Sequence, residues 1–398
     1  MTRAIAIIDG EHYAPVVRDA IAELPYEVVG AWLAGGTEKL RGHEDYGVPL
    51  LAELEDAFAR AEVIVDLSDE PVLSPADRFL LASRALAAGL RYEGADFHFE
   101  PPQYASFPLP SLAVIGTGKR VGKTAITGHV ARLLARDREV VVVAMGRGGP
   151  AQPVLAKARP TLDRLLELSR AGEHAASDYL ETAALTGVVT IGCRRAGGGL
   201  AGAVTTSNVL QGAALAAERE PDIVLFDGSG AAIPPIDVDA RILVSGAAQD
   251  PTAYLNAYRL LVSDLVVLIG DGDADRVRAL KAVPVVRVDL RLRPVIPLAG
   301  RRAAVFTTGP VPTDHLDGEI VSVSRNLADR AKLRQDLART DAEVFVVEIK
   351  AAAIDVVAEV ARERGVELVF AENEVVPLPG EPDLDDAILQ LVPTGARM

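Results

Sequence analysis

The chain has 398 residues, long enough for two or three domains. Hydrophobic residues are 49% and charged residues 24%, which excludes a wholly disordered chain; 34 glycines and 25 prolines are too few for a fibrous or low-complexity one. The formal net charge of −15 argues against a nucleic-acid or anionic-membrane binder, because such partners need a positive field. A single cysteine, Cys193, excludes an intrachain disulfide and any multi-cysteine metal site. The apolar run at Ala4–Ile8 is too short for a signal-peptide core, and no run is long enough to span a membrane. A reducing cytoplasm is the expected location.

Short apolar runs alternate with Ala/Leu/Arg-rich helical stretches, which predicts βα units and a mostly parallel sheet. Residues 1–105 read as an N-terminal Rossmann-like α/β domain. Its strands are Ala4–Ile8, Glu27–Leu33 and Val63–Leu67, and its helices Ala14–Leu24 and Pro75–Leu90. Four prolines in Pro101–Pro110 mark a linker, since proline lacks the amide hydrogen and restricts its predecessor. Residues 106–300 read as a central ATPase domain. It has strands at Leu112–Ile115, Val140–Ala144, Asp222–Phe226, Arg241–Val244, Leu265–Ile269 and Val283–Val288, and a helix at Lys123–Ala135. Residues 301–398 read as a smaller C-terminal α/β domain. Its strands are Ala303–Thr307, Glu319–Val323, Val344–Glu348 and Glu367–Ala371, with helices Leu327–Ala338 and Ala351–Arg364.

Strand Leu112–Ile115 runs into Gly116-Thr117-Gly118-Lys119-Arg120-Val121-Gly122-Lys123-Thr124 and then a helix. Glycines let backbone amides face one concavity, and the helix N-terminus adds positive potential there. The backbone from Gly118 through Lys119, Arg120, Val121, Gly122, Lys123, Thr124 and Ala125 is the expected ATP cradle. Lys123 would reach the β- and γ-phosphates, and the Thr124 hydroxyl would ligate Mg²⁺. Thr117 stands where the commonest spacing has glycine, and the loop resembles that of dethiobiotin synthetases. Asp227, at the end of the Asp222–Phe226 strand and followed by Gly228-Ser229-Gly230, is the expected metal carboxylate. The N-K-x-D signature of guanine binding is absent, which favours ATP.

Arg147, between Gly146 and Gly148, follows the Val140–Ala144 strand, where a doubly wound sheet would turn it toward a substrate beside the phosphate loop. Arg194 and Arg195 precede the glycine run Gly197-Gly198-Gly199 and read as a loop that captures anionic groups with guanidinium forks. Cys193 lacks a nearby histidine and reads as a buried thiol. Together Lys119, Arg120, Arg147, Arg194 and Arg195 would form a concentrated positive site for a small polyanion. Weaker signals are Asp9-Gly10-Glu11-His12 after the first strand, and Asp178, Tyr179 and Glu181 in a predicted helix. Others are Glu348-Ile349-Lys350 at a strand end and the basic set Arg325, Arg330, Lys332 and Arg334, which read as a solvated helix face.

Five segments together resemble the cyclic 2,3-diphosphoglycerate synthetase family: GTGKRVGKT at 116–124, AMGRGGP at 144–150, GCRRAGGG at 192–199, FDGSG at 226–230 and VEIKAAAID at 347–355. The resemblance implies ATP-dependent closure of 2,3-diphosphoglycerate into an internal phosphoanhydride, with ADP and phosphate released. It also implies 2-phosphoglycerate kinase activity in some members, Mg²⁺ and a homodimer. On that reading Lys123, Asp227, Arg147, Arg194 and Arg195 are the catalytic set, and Thr124 and Asp227 hold the metal. Two other classes share the phosphate loop. A dethiobiotin-synthetase-like ligase would need a less charged acceptor pocket than two arginines provide. A partition-type ATPase switch would carry a lysine at position 118, where this chain has Gly118.

Overall fold

The computed structural model describes residues 1–156, 163, 166, 167, 178–349 and 353–393. These divide into two compact units. One comprises residues 1–103, 250–262 and 275–282; the other comprises 104–249, 263–274 and 283–398.

The first unit is a six-stranded sheet in the order β3-β2-β1-β4-β5-β6, with β1 (Arg3–Ile8), β2 (Glu27–Leu33), β3 (Leu50–Leu51), β4 (Val63–Asp66), β5 (Arg91–Glu93) and β6 (His98–Phe99). All pairs but β5–β6 are parallel. Ala4–Ile8 is wholly buried, as a central strand covered on both faces must be. The Pro75–Ala87 helix starts in a capping box: the Ser74 hydroxyl accepts from the Asp77 amide, and the Asp77 carboxylate accepts from the Ser74 amide.

The second unit carries a larger sheet, thirteen-stranded among the described residues. Its first part is β7 (Ser111–Gly116), β8 (Val140–Gly146), β9 (Val154–Ala156), β10 (Val189–Ala196), β11 (Thr206–Ser207), β12 (Ile223–Asp227), β13 (Ala240–Ser245) and β14 (Leu265–Ile269). The remainder is β15 (Val285–Pro294), β16 (Arg302–Phe306), β17 (Glu319–Ser324), β18 (Val344–Glu348) and β19 (Glu367–Pro377). The order is β11-β10-β8-β12-β7-β13-β14-β15-β19-β18-β16-β17, with β9 on the side of β10. The run from β10 to β15 is parallel. The Lys123–Leu134 helix lays Ile126, Val130, Ala131, Leu133 and Leu134 on the sheet, against Leu112, Val114, Val142 and Leu225.

Two strands are longer than the sequence predicts, and they join the halves of this sheet. β15 pairs in parallel with β14 over Val285–Val288, then antiparallel with β19 over Val288–Pro294. β19 pairs in parallel with β18 over Glu367–Ala371 before meeting β15. Of the missed segments, Asp289–Pro294 alternates charged residues with leucines and Glu372–Pro377 opens with the polar run Glu372-Asn373-Glu374, so neither has the continuous apolar signature of the central strands. The C-terminal strands Arg302–Phe306 and Val344–Glu348 enclose a core of Phe306, Leu333, Leu337, Phe345, Val347 and Val357. The predicted Ala351–Arg364 helix is a wide turn at Ala353–Ala358 continued by an α-helix at Glu359–Arg364; residues 351 and 352 lie outside the described residues.

One prediction is corrected. Arg194 and Arg195 are not on a loop: both lie within β10. The glycines after them hid the strand, but Val189–Arg194 pairs in parallel with Val141–Gly146.

Candidate active site

The site forms at the carboxyl edge of β8, β12 and β7, where parallel strands end and their loops converge. The phosphate loop leaves β7 at Gly116 and enters the helix at Lys123. Gly122 caps that helix at φ +85°, a left-handed conformation that glycine adopts without strain. Thr117 in place of glycine has a physical reason: its hydroxyl bonds to Gln249 Oε1 and lies 3.3 Å from the Ser245 hydroxyl, tying the loop to the end of β13. Arg120 is exposed at φ +60°.

Asp227 ends β12 with its side chain 1% exposed. Lys123 Nζ lies 2.5 Å from Oδ1, and the Thr127 hydroxyl donates to the same oxygen at 2.7 Å. Oδ2 is buried with no hydrogen-bond partner. Burial raises the carboxyl's pKa above its ordinary value; Lys123 and Thr127 pull it down and the Asp178 carboxylate pushes it up, and the rise prevails. A buried carboxyl oxygen with nothing to bond is an unusual cost in a native interior. It fits a residue kept for a cation that arrives with a ligand.

Three cationic side chains converge just beyond Asp227. A Cβ on Gly230, whose φ is +59°, would stand 3.0 Å from an Arg147 guanidinium nitrogen, 3.6 Å from Lys119 Cγ and 3.8 Å from an Arg195 guanidinium nitrogen. Arg195 is held there: Nη2 donates to the Ser229 carbonyl at 2.7 Å and Nη1 to the Gly197 carbonyl at 2.5 Å. Its charge is disfavoured first by burial and then by Arg147, against a smaller opposing pull from Asp178. Two guanidinium groups kept together against repulsion constitute a site awaiting negative charge.

Arg194 is separated from Arg195 by strand alternation, which sends successive side chains to opposite faces. It is exposed, while Arg195 is buried. The Arg194 amide donates to Asn208 Oδ1 at 2.7 Å, which ties its backbone down while its side chain is exposed.

A small cleft lies beside the start of the phosphate-loop helix. Thr124 and Ala125 line it together with Glu181, Thr182, Glu348 and Asn373. Lys119, Arg147 and Arg195 do not line it, so it is distinct from the arginine cluster. Glu348 accepts from the Thr308 amide and hydroxyl at 2.9 and 3.0 Å and from the Asn373 amide at 3.2 Å. Lys350 lies outside the described residues. The basic set on the Arg330–Arg339 helix makes surface pairs, Arg330 with Asp355 and Lys332 with Asp329. In the first unit Asp9 is fully buried and spends both oxygens on its own loops. Cys193 is buried with its thiol pushed up to about 12 by desolvation, an unreactive state.

Three family models match in tandem, all of cyclic 2,3-diphosphoglycerate synthetase: the N-terminal domain over residues 3–100, the P-loop domain over 111–287 and the C-terminal domain over 294–374. The synthetase of that name from Rubrobacter xylanophilus is 46% identical, over 99% of this chain and 98% of that one. The chain belongs to the cyclic 2,3-diphosphoglycerate synthetase family. Relatives of the same name from Thermococcus kodakarensis and Methanothermobacter thermautotrophicus are 40% and 36% identical, over 97% and 98% of this chain and 98% and 95% of theirs. Both Lys123 and Asp227 fall within the P-loop domain match, and Glu348 within the C-terminal one.

For this synthetase-family chain, several site residues carried no signal in the sequence reading. Thr127 was detectable in principle, standing four residues after Lys123 on the same helical face. Gln249 carried no local pattern, because only the sheet brings a residue more than a hundred positions away to the loop.

Proposed function

We propose that this chain is an ATP-dependent synthetase that closes 2,3-diphosphoglycerate into its cyclic phosphoanhydride. The single observation that carries the reading, beyond family membership, is the convergence of Lys119, Arg147 and Arg195 on Gly230, three residues from Asp227. A triply basic cluster beside a phosphate loop suits an acceptor with several negative charges.

One substrate phosphate oxygen attacks the γ-phosphorus of ATP, forming a phosphoanhydride and releasing ADP. An oxygen of the second substrate phosphate then attacks the first substrate phosphorus and expels the transferred phosphate. The acceptor is already anionic, so no strong base is required; positioning and charge neutralisation supply the catalysis. Lys123 exchanges its bond to Asp227 for the ATP phosphates, and the loop amides from Gly118 to Ala125 hold the same phosphates. Arg147 and Arg195 draw the two substrate phosphates together against their repulsion, which is greatest in the ring-closing transition state. Arg194 adds attraction from the exposed face of β10. Thr124 and Asp227 would hold Mg²⁺, which when bound supplies further neutralisation of phosphate charge; the partnerless Asp227 Oδ2 fits that role. Among the described residues no helix is long and apolar enough to cross a membrane. A cytoplasmic homodimer completes the reading, and sedimentation of the purified protein checks the dimer.

The test is ³¹P NMR of the purified protein with ATP, Mg²⁺ and 2,3-diphosphoglycerate, with 2-phosphoglycerate in a parallel sample. A new internal anhydride resonance is expected from the first. An open diphosphate from 2-phosphoglycerate with no cyclic product would reassign the chain as a kinase. ATP turnover indifferent to both acceptors would overturn the phosphoglycerate reading altogether.

A further inference from the structure

The helix Asp178–Thr186 contributes a residue that the reaction as described leaves unused. The helix is firmly placed: Leu180 is buried in a small cluster, and the Tyr179 ring lies so close to β10 that a Cβ on Gly192 would meet it at 2.6 Å. Asp178 is its first residue. One of its carboxylate oxygens stands against the end of β8, 3.2 Å from where a Cβ on Gly146 would be. β8 is the immediate neighbour of β12, and Ala144, two residues before Gly146, is in register with Asp227. Asp178 therefore borders the same strand edge as Asp227, one residue from Arg147.

Two further observations point to what it does there. Asp227 Oδ2 is buried without a partner, so the site holds an acceptor that the chain alone does not satisfy. Asp178 is the other carboxylate at that edge, one of its oxygens set against Gly146 in the strand that neighbours β12. Two carboxylates at one strand edge, one of them with an unused oxygen, gain most from a shared cation. Mg²⁺ is commonly held by one or two carboxylates with the remaining positions filled by nucleotide phosphate and water.

We infer that Asp178 is the second carboxylate, with Asp227, for the divalent cation that accompanies the nucleotide. This rests on the proposed synthetase reading only in taking the nucleotide to be ATP. Gly146 keeps the position open, since any larger residue would press on the carboxylate oxygen. Asp178 also offsets part of the repulsion between Arg147 and Arg195, so metal and substrate are bound by overlapping groups.

The experiment uses the full chain with Mn²⁺ as probe, followed by electron paramagnetic resonance in the presence of ADP. Asp178→Asn is expected to weaken Mn²⁺ binding by about tenfold or more, the scale seen when metal-site carboxylates or their supports are removed. ADP affinity measured in EDTA should stay within twofold, and Asp178→Glu should recover part of the Mn²⁺ affinity. Unchanged Mn²⁺ affinity with a raised KM for diphosphoglycerate would overturn the inference and make Asp178 a support for the arginines alone. Loss of both Mn²⁺ and metal-free ADP binding would also overturn it, showing a structural residue. Failure of the synthetase reading is separately visible: the Mn²⁺ result would hold while ³¹P NMR showed no cyclic product.

Discussion

Asp9 and Asp227 hold matching positions in the two units. Each stands at the carboxyl end of a buried parallel strand, immediately before a glycine, and each is almost wholly inaccessible. Their surroundings differ in one respect. Asp9 Oδ1 accepts from the Glu11 and His12 amides and from the His12 ring, and Oδ2 accepts from the Asp69 amide at 2.8 Å. Although burial is the largest single influence and raises its pKa, these bonds together hold Asp9 below the ordinary carboxylate range. Asp227 has only Lys123 and Thr127, both on one oxygen, and stays above that range. The same strand-end geometry therefore serves as a structural tie in one unit and as part of the proposed reactive site in the other. What separates them is bonding capacity left unfilled.

The comparison can be broken by substitution. Lys123→Ala should reduce product formation on the order of 10³-fold, the scale for loss of a group aimed at transition-state charge, as followed by ³¹P NMR. Arg195→Lys keeps the charge but loses the fork anchored on Ser229 and Gly197. It should cost on the order of 10²-fold in kcat/KM, the scale of a small misplacement, and Arg194→Ala considerably less. Asp9→Ala should cost about 2 kcal/mol of stability in urea unfolding, because several amides lose their acceptor. Turnover of the folded Asp9→Ala protein should be nearly unchanged; a hundredfold loss would mean the first unit carries chemistry.

The pH dependence sharpens the contrast because the two signs are opposite. Asp9, depressed in the folded state, contributes stability that is present above its unfolded pKa of about 3.9 and is lost as pH falls through the lower folded value. Asp227, raised in the folded state, favours folding below the unfolded value, and that contribution is lost as pH rises through the folded one. Asp227→Asn should then raise the apo protein's thermal midpoint at neutral pH while abolishing turnover. A lowered midpoint would show that the bond to Lys123 outweighs the burial of the charge. The smallest effect expected is at Cys193, which should resist a thiol reagent at pH 8 until the protein unfolds.

Much of the fold was legible because it depends on local patterns. Continuous apolar runs such as Val140–Met145 are buried on both faces, and the reading of parallel βα units follows from them directly. β10 was not legible. Its Gly192 and the following Gly197-Gly198-Gly199 imitate a loop, while the evidence for a strand lies in the pairing partner, β8. The halves of β15 and β19 that join the sheet were invisible for a related reason: their charged and polar residues gain meaning only from the antiparallel neighbour.

The sequence by itself determined that the chain is an α/β protein of the cyclic 2,3-diphosphoglycerate synthetase family with a phosphate loop at residues 116–124. It also marked Lys123, Asp227, Arg147, Arg194 and Arg195 as candidates, because phosphate chemistry demands such residue types at strand ends. Only the tertiary structure decided how they are grouped. Strand alternation turned Arg195 inward and Arg194 out. Sheet order brought Arg147, Arg195 and Lys119 to Gly230. Burial left one oxygen of Asp227 without a partner and placed Asp178 at the same edge. Residue type is a local property, but the face a side chain takes and the bonds left to it depend on neighbours distant in the chain.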